Sequence, residues 1–159
     1  MLDAGALHLA GTLSQSTLIT PHAGELSRLL AIHGHIVSSE LIEADPITWA
    51  QKSSELLNVT VLLKGSKTVV AQGSRVITLP KASPFLATAG SGDVLAGIIG
   101  ALVATNYIEI LNSPERLVDV AATGAYIHNQ AALLASRGAP ISASQIPPMI
   151  NEVIRKINT

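Results

Sequence analysis

The sequence predicts an α/β domain: a central, mostly parallel sheet with helices on both faces. Three observations carry that expectation. Short segments rich in Val, Ile and Leu alternate with longer ones whose apolar residues recur every three or four positions. The stretch VTVLL, Val59 to Leu63, is apolar at every position but one, as a strand covered on both faces requires. Finally, AGSGD, Ala89 to Asp93, runs straight into a long apolar helical pattern. That arrangement presents free backbone amides at the start of a helix.

The elements follow in order. STLIT, Ser16 to Thr20, is a short strand ending at Pro21, and GELSRLLAIHG reads as a helix stopped by Gly34. Ser38 to Glu43 is ambiguous between loop and a short helical turn. Asp45 followed by Pro46 is a cap and a first-turn proline, which predicts a helix from Pro46 to about Leu57. The interior strand begins at Val59. KTVVA and RVITL then form a hairpin around a three-residue glycine turn, Gln72-Gly73-Ser74. Val94, Leu95, Ile98, Ile99, Leu102 and Val103 define the helix after the glycines. A second long helix opens at Ser113-Pro114 and ends near Gly138, and a last one runs from Pro148 onward. Only about two strands have the apolar character of a sheet's centre, so the sheet reads as short or incomplete.

Composition narrows the function. Hydrophobic residues make up 48% of 159 positions, enough for one domain, 1–159, with a real core. A net charge of −1 and ten Lys and Arg residues argue against a nucleic-acid-tracking surface. With no Cys, disulfides and thiolate metal sites are excluded. The apolar run from Val94 to Ala104, broken by two glycines, is too short to span a bilayer. Without a recognisable leader, the expectation is a cytoplasmic protein with no membrane partner.

Three polar junctions point to chemistry. In the first, Gly90, Ser91 and Gly92 offer an anion hole at a helix start, and Asp93 stands where a carboxylate would repel the anion unless it had its own task. VLLKGSKT, Val61 to Thr68, sends Lys64 out of a buried strand at the sheet's carboxyl end, where open α/β folds bind ligands. TPHAGEL, Thr20 to Leu26, puts Pro21, His22 and Glu25 between a strand and its helix. Each has a plainer reading: Asp93 as a first-turn acid, Lys64 reaching out of the core, Thr68 opening the next strand, His22 and Glu25 as helix-start residues. The chain has neither a Walker loop nor a dinucleotide fingerprint. Phosphoryl transfer needs oriented donors and a group near the acceptor hydroxyl; the Gly90–Gly92 amides and Asp93 answer to those needs. Glu25 is the nearby acid suited to hold a metal between phosphates through water.

TPHAGELSRLL, VLLKGSKTVVA and LATAGSGDVLAG together resemble the ATP/ADP-dependent NAD(P)H-hydrate dehydratases of the ribokinase-like superfamily. The resemblance runs from Asp3 to roughly Ile154. It implies a ribokinase-like layered fold and the repair of hydrated NADH and NADPH, with ADP or ATP and Mg2+ as cofactors. The hydrate hydroxyl would be phosphorylated and phosphate then eliminated. On that likeness Lys64, Gly65, Ser66, Lys67, Thr68 and Gly92 bind the AMP portion of the nucleotide. Asp93 is the base, and His22 lies on the side of the hydrated dinucleotide.

The likeness has departures. Family members usually carry an N-terminal third before the segment that opens this chain, so the fold is expected to be N-terminally truncated. A homo-oligomer or a completing chain would then cover the edge. MLDAGAL resembles the family's strand end and acidic turn, with Gly5 in place of the second acid; the family's Asn-Pro-Gly loop reads SPF at Ser83 to Phe85. GxGD alone is shared across the superfamily, which leaves two alternatives: a kinase for a sugar or vitamin-like alcohol, and an inactive nucleotide-binding fragment.

Overall fold

The computed structural model describes residues 1–157. A four-stranded sheet in the order β1-β2-β3-β4 divides two helical layers. β1 (Leu18–Ile19) pairs in parallel with β2 (Thr60–Leu63), while β3 (Val69–Gln72) and β4 (Arg75–Thr78) add antiparallel ladders. Beyond β1, Leu2 extends the parallel part through a bridge to Ile19.

Strand alternation sorts the core. Ile19, Val61, Leu63, Val69 and Ala71 face one cluster with Leu26, Leu30 and Ala50 of α1 (Ala23–Ile32) and α3 (Pro46–Leu57). Leu18, Leu62 and Val70 face the other, built on α4 (Ser91–Thr105) and α6 (Arg116–Ser136). These two long helices approach closely at Gly124, where an added Cβ would lie 2.6 Å from Ile99 Cγ1. α7 (Ile150–Ile157) closes a third cluster against α6 around Ile146 and Val153. None of the helices among the described residues is long and apolar enough to cross a membrane.

Local chemistry explains most boundaries. Asp45 accepts the Thr48 amide hydrogen bond at 3.2 Å and Pro46 opens α3, as the cap-proline pair predicts. The ambiguous segment resolves as α2 (Ser39–Ala44), capped by Ser38. β3 proves buried at Val69, Val70 and Ala71, so the sheet has more interior strand than its apolar runs suggest.

Two expectations need correcting, on the hairpin turn and on the start of the last helix. The hairpin turn has two residues, because Gln72 pairs with Arg75 and leaves only Gly73 and Ser74 in the loop; Gly73 takes a φ of +55° there. Tight hairpins match strand twist by a positive φ at the first loop position, which glycine accepts freely. The run after α4 breaks at Asn106, whose side chain donates back to the Leu102 carbonyl at 2.8 Å, and restarts as α5 (Tyr107–Asn112). The last helix is preceded by a 3-10 turn at Pro147–Met149 and begins at Ile150, the Met149 amide closing on the Ile146 carbonyl three residues back at 3.0 Å.

Candidate active site at the carboxyl end of the sheet

The carboxyl ends of neighbouring parallel segments converge. Leu2 lies beside Ile19, and His22 bridges to Lys64 in parallel, with the Lys64 amide donating to the Pro21 carbonyl at 2.8 Å. Asp3, His22 and Lys64 therefore leave the sheet side by side, at the rim where open α/β folds bind ligands.

His22 and Glu25 serve the helix first. His22 is the N-cap of α1: its Nδ1 accepts the Gly24 and Glu25 amides at 3.1 and 3.3 Å, and Glu25 Oε2 accepts the His22 amide at 2.8 Å. This reciprocal capping box realises the plainer reading of both residues. It also orients them. With Nδ1 accepting, the neutral ring carries its proton on Nε2, which stands 3.5 Å from Glu25 Oε2.

Lys64 joins the junctions. Its Nζ lies 3.2 Å from Asp3 Oδ1 and 3.6 Å from Glu25 Oε2. On its other side it meets the start of α4, since a Cβ on Gly92 would stand 3.7 Å from that nitrogen. Lys64 thus does more than reach toward solvent. Asp3, which also accepts the Thr20 hydroxyl at 2.7 Å, is a site residue that motif reading passes over. Its sequence signal is the LDAGAL turn, weakened by Gly5.

The α4 start carries no side-chain cap, and Gly90, the N-cap, holds a φ of +84°. Ser91 turns its hydroxyl away, to the Leu86 carbonyl at 2.7 Å. The Gly92 and Asp93 amides stay available, and the dipole favours negative charge there. The expected share of Ser91 in the anion hole is corrected: its amide already donates to the Thr88 carbonyl at 3.3 Å. Asp93 stands exposed in that turn, its carboxylate free of hydrogen bonds and ion pairs among the described residues. The plainer reading of Asp93, a first-turn acid facing the helix dipole, is compatible with this placement.

The Gly65-Ser66-Lys67 loop is exposed and borders a cleft of about 770 Å³ with His22, Lys64, Asp45 and Pro46. Ser66 accepts the Ala82 amide at 2.9 Å, tying this loop to the segment leading into α4. Thr68 directs its hydroxyl to the Gly65 carbonyl at 3.5 Å and precedes β3. The structure brings Lys64, Glu25 and Gly92 together; Lys67 and Thr68 belong to the neighbouring loop.

Two buried α6 residues, neither singled out by motif, hold the approach to α4. Asn129 Oδ1 accepts the Ser83 amide at 2.8 Å, and its Nδ2 donates to the Lys81 carbonyl at 3.3 Å. His128, beside it, is 6% exposed, with Nε2 unpartnered. Burial pushes its imidazole down to about 4, a backbone hydrogen bond to Ser91 opposing in part.

The α/β sheet between two helical layers is shared with solved structures of known proteins. The Bacillus subtilis ADP/ATP-dependent NAD(P)H-hydrate dehydratase co-crystallised with ATP/Mg2+ superposes with a TM-score of 0.79 at 23% identity, over 97% of this chain and 53% of that one. The profile of the NAD(P)H-hydrate dehydratase family matches residues 1–155, and the chain belongs to that family. It is 38% identical over 157 aligned residues to a bifunctional NAD(P)H-hydrate repair enzyme of Corynebacterium glutamicum, covering 89% of this chain and 27% of that protein. It is 35% identical to an ADP-dependent (S)-NAD(P)H-hydrate dehydratase of Neisseria meningitidis, covering 90% of this chain and 47% of its relative. The chain thus spans about half, or less, of the relatives it matches.

Proposed function

We propose that this chain carries the nucleotide-dependent half of an NAD(P)H-hydrate dehydratase site. The observation that carries the reading is Asp93: an unpaired, exposed carboxylate one residue from Gly92, where an added Cβ would lie 3.7 Å from the Lys64 ammonium. ADP or ATP presents its terminal phosphoryl group to the α4 amides, its AMP portion along the loop from Lys64 to Thr68. Asp93 takes the proton of the hydrate hydroxyl as that oxygen attacks phosphorus, and AMP or ADP leaves. The carbon–oxygen bond then breaks with loss of a proton from the neighbouring carbon. Phosphate departs and the dihydronicotinamide double bond is restored.

Mg2+ fits this donor set as a metal borne by the nucleotide. No group of three or more His, Cys, Asp or Glu side chains stands ready for a metal among the described residues. Glu25 would reach it through water, and the ion would spread the phosphate charge. His22, exposed at the mouth of the cleft, faces the hydrated dinucleotide. We place the protein in the cytoplasm, where the pyridine dinucleotide pools reside.

Recovery of NADH absorbance from purified hydrate with ADP or ATP is the test. Absence of turnover from folded protein that binds nucleotide would leave the second reading, a nucleotide-binding part needing a completing chain or a second copy. The chain's share of its relatives' length supports that reading. A stable phosphorylated alcohol as product would point to a kinase instead.

A further inference from the structure

We propose that Asp3 is a positioning residue that holds the Lys64 ammonium against the start of α4; the proposal rests on reading that start as the phosphoryl site. Lysine carries its charge on a flexible four-carbon stem, so an external anchor decides where the charge stands. Of the two carboxylates within reach, Asp3 makes the shorter contact, 3.2 Å against 3.6 Å for Glu25. Glu25 is already committed to the His22 amide. Asp3 is itself held: the oxygen that faces Lys64 also accepts the Thr20 hydroxyl at 2.7 Å. Thr20 directly follows β1, so the anchor is built on the sheet and not on the loop it serves.

The geometry serves an anion better than it serves the fold alone. The pair is partly buried, with side-chain exposures of 23% for Lys64 and 17% for Asp3. The ammonium stands near the start of α4, 3.7 Å from where a Cβ on Gly92 would lie. A cation fixed beside uncapped amides gains most when phosphoryl charge develops, because it has no reorganisation left to undergo. Asp3 adds negative charge near the same point, so it opposes ground-state anion binding while improving alignment. A mere structural pair would not split these two effects.

Lysine labelled with 13C at Cε, with the Lys64 signal assigned by Lys64→Gln, tests this in the full chain. The Lys64 signal should shift on adding ADP and should move to the position and line width of a mobile lysine in Asp3→Asn. Asp3→Glu should restore part of the ordered signal. Where the hydrate assay turns over, Asp3→Asn should lower kcat by about 10- to 10²-fold, with KM for ADP unchanged or lower, and should cost nothing further in a Lys64→Gln background. An ordered Lys64 signal that persists in Asp3→Asn, or losses that multiply in the double variant, would overturn the proposal. A wild-type Lys64 signal indifferent to ADP would instead overturn the phosphoryl-site reading.

Discussion

Asn129 Oδ1 accepts the Ser83 amide at 2.8 Å, joining the middle of α6 to the segment that delivers the chain into α4. Both residues are buried, so water cannot replace the bond. The start of α4, eight residues onward, is thereby referred to the longest helix among the described residues. Removing the side chain, in Asn129→Ala, strands a buried amide and should cost about 1–3 kcal/mol. Denaturant unfolding of the variant measures it, and a loss below a few tenths would show that the segment finds another partner.

His128 makes stability depend on pH. Its imidazole titrates near 4 folded against an ordinary 6.5, so the unfolded chain binds the extra proton between those values. The stabilisation is complete above about pH 6.5 and is lost as pH falls toward 4. At about 1.4 kcal/mol per pH unit the loss is roughly 3 kcal/mol. Unfolding free energies of wild type and His128→Leu compared across that range should diverge in slope, the variant being the flatter. Parallel curves would remove His128 from the acid response.

Asp93→Asn separates catalyst from helix-start acid. As the base, Asp93 should be worth about 10²–10⁴-fold in turnover, with nucleotide affinity kept or slightly improved. As a dipole partner alone, it should alter stability by less than about 1 kcal/mol and leave the rate intact. Turnover and ADP affinity measured on one active preparation decide between them.

Gly124 and Gly100 should respond oppositely to alanine. A Cβ at Gly124 would sit 2.6 Å from Ile99 Cγ1, forcing α4 and α6 apart, and Gly124→Ala should cost about 1–3 kcal/mol. Gly100, inside α4, has nothing within 4 Å of an added Cβ. Gly100→Ala should stabilise the helix by up to about 1 kcal/mol. Thermal melts of the two variants give both signs in one experiment.

What the sequence determined by itself is local. Asp45-Pro46 announces α3 because capping is settled within four residues, and Val59 to Leu63 announces a buried strand because its neighbours on both faces must be apolar. TPHAGEL, VLLKG and AGSGD each mark a junction because glycines, caps and charges there answer to their own backbone. What tertiary structure decided is which junctions meet. Lys64 finds Asp3 across 61 positions, and Asn129 reaches Ser83 across 46, through pairings that leave no periodic trace in either segment. The two-residue turn at Gly73-Ser74 likewise follows from the register of β3 on β4, which side-chain burial across the sheet selects. His22 and Glu25 show both influences: their spacing encodes the capping box, but only the parallel alignment of β1 with β2 brings Lys64 to Glu25. Charge placement at the rim is therefore a property of the sheet, because strand order alone sets which side chains share an edge.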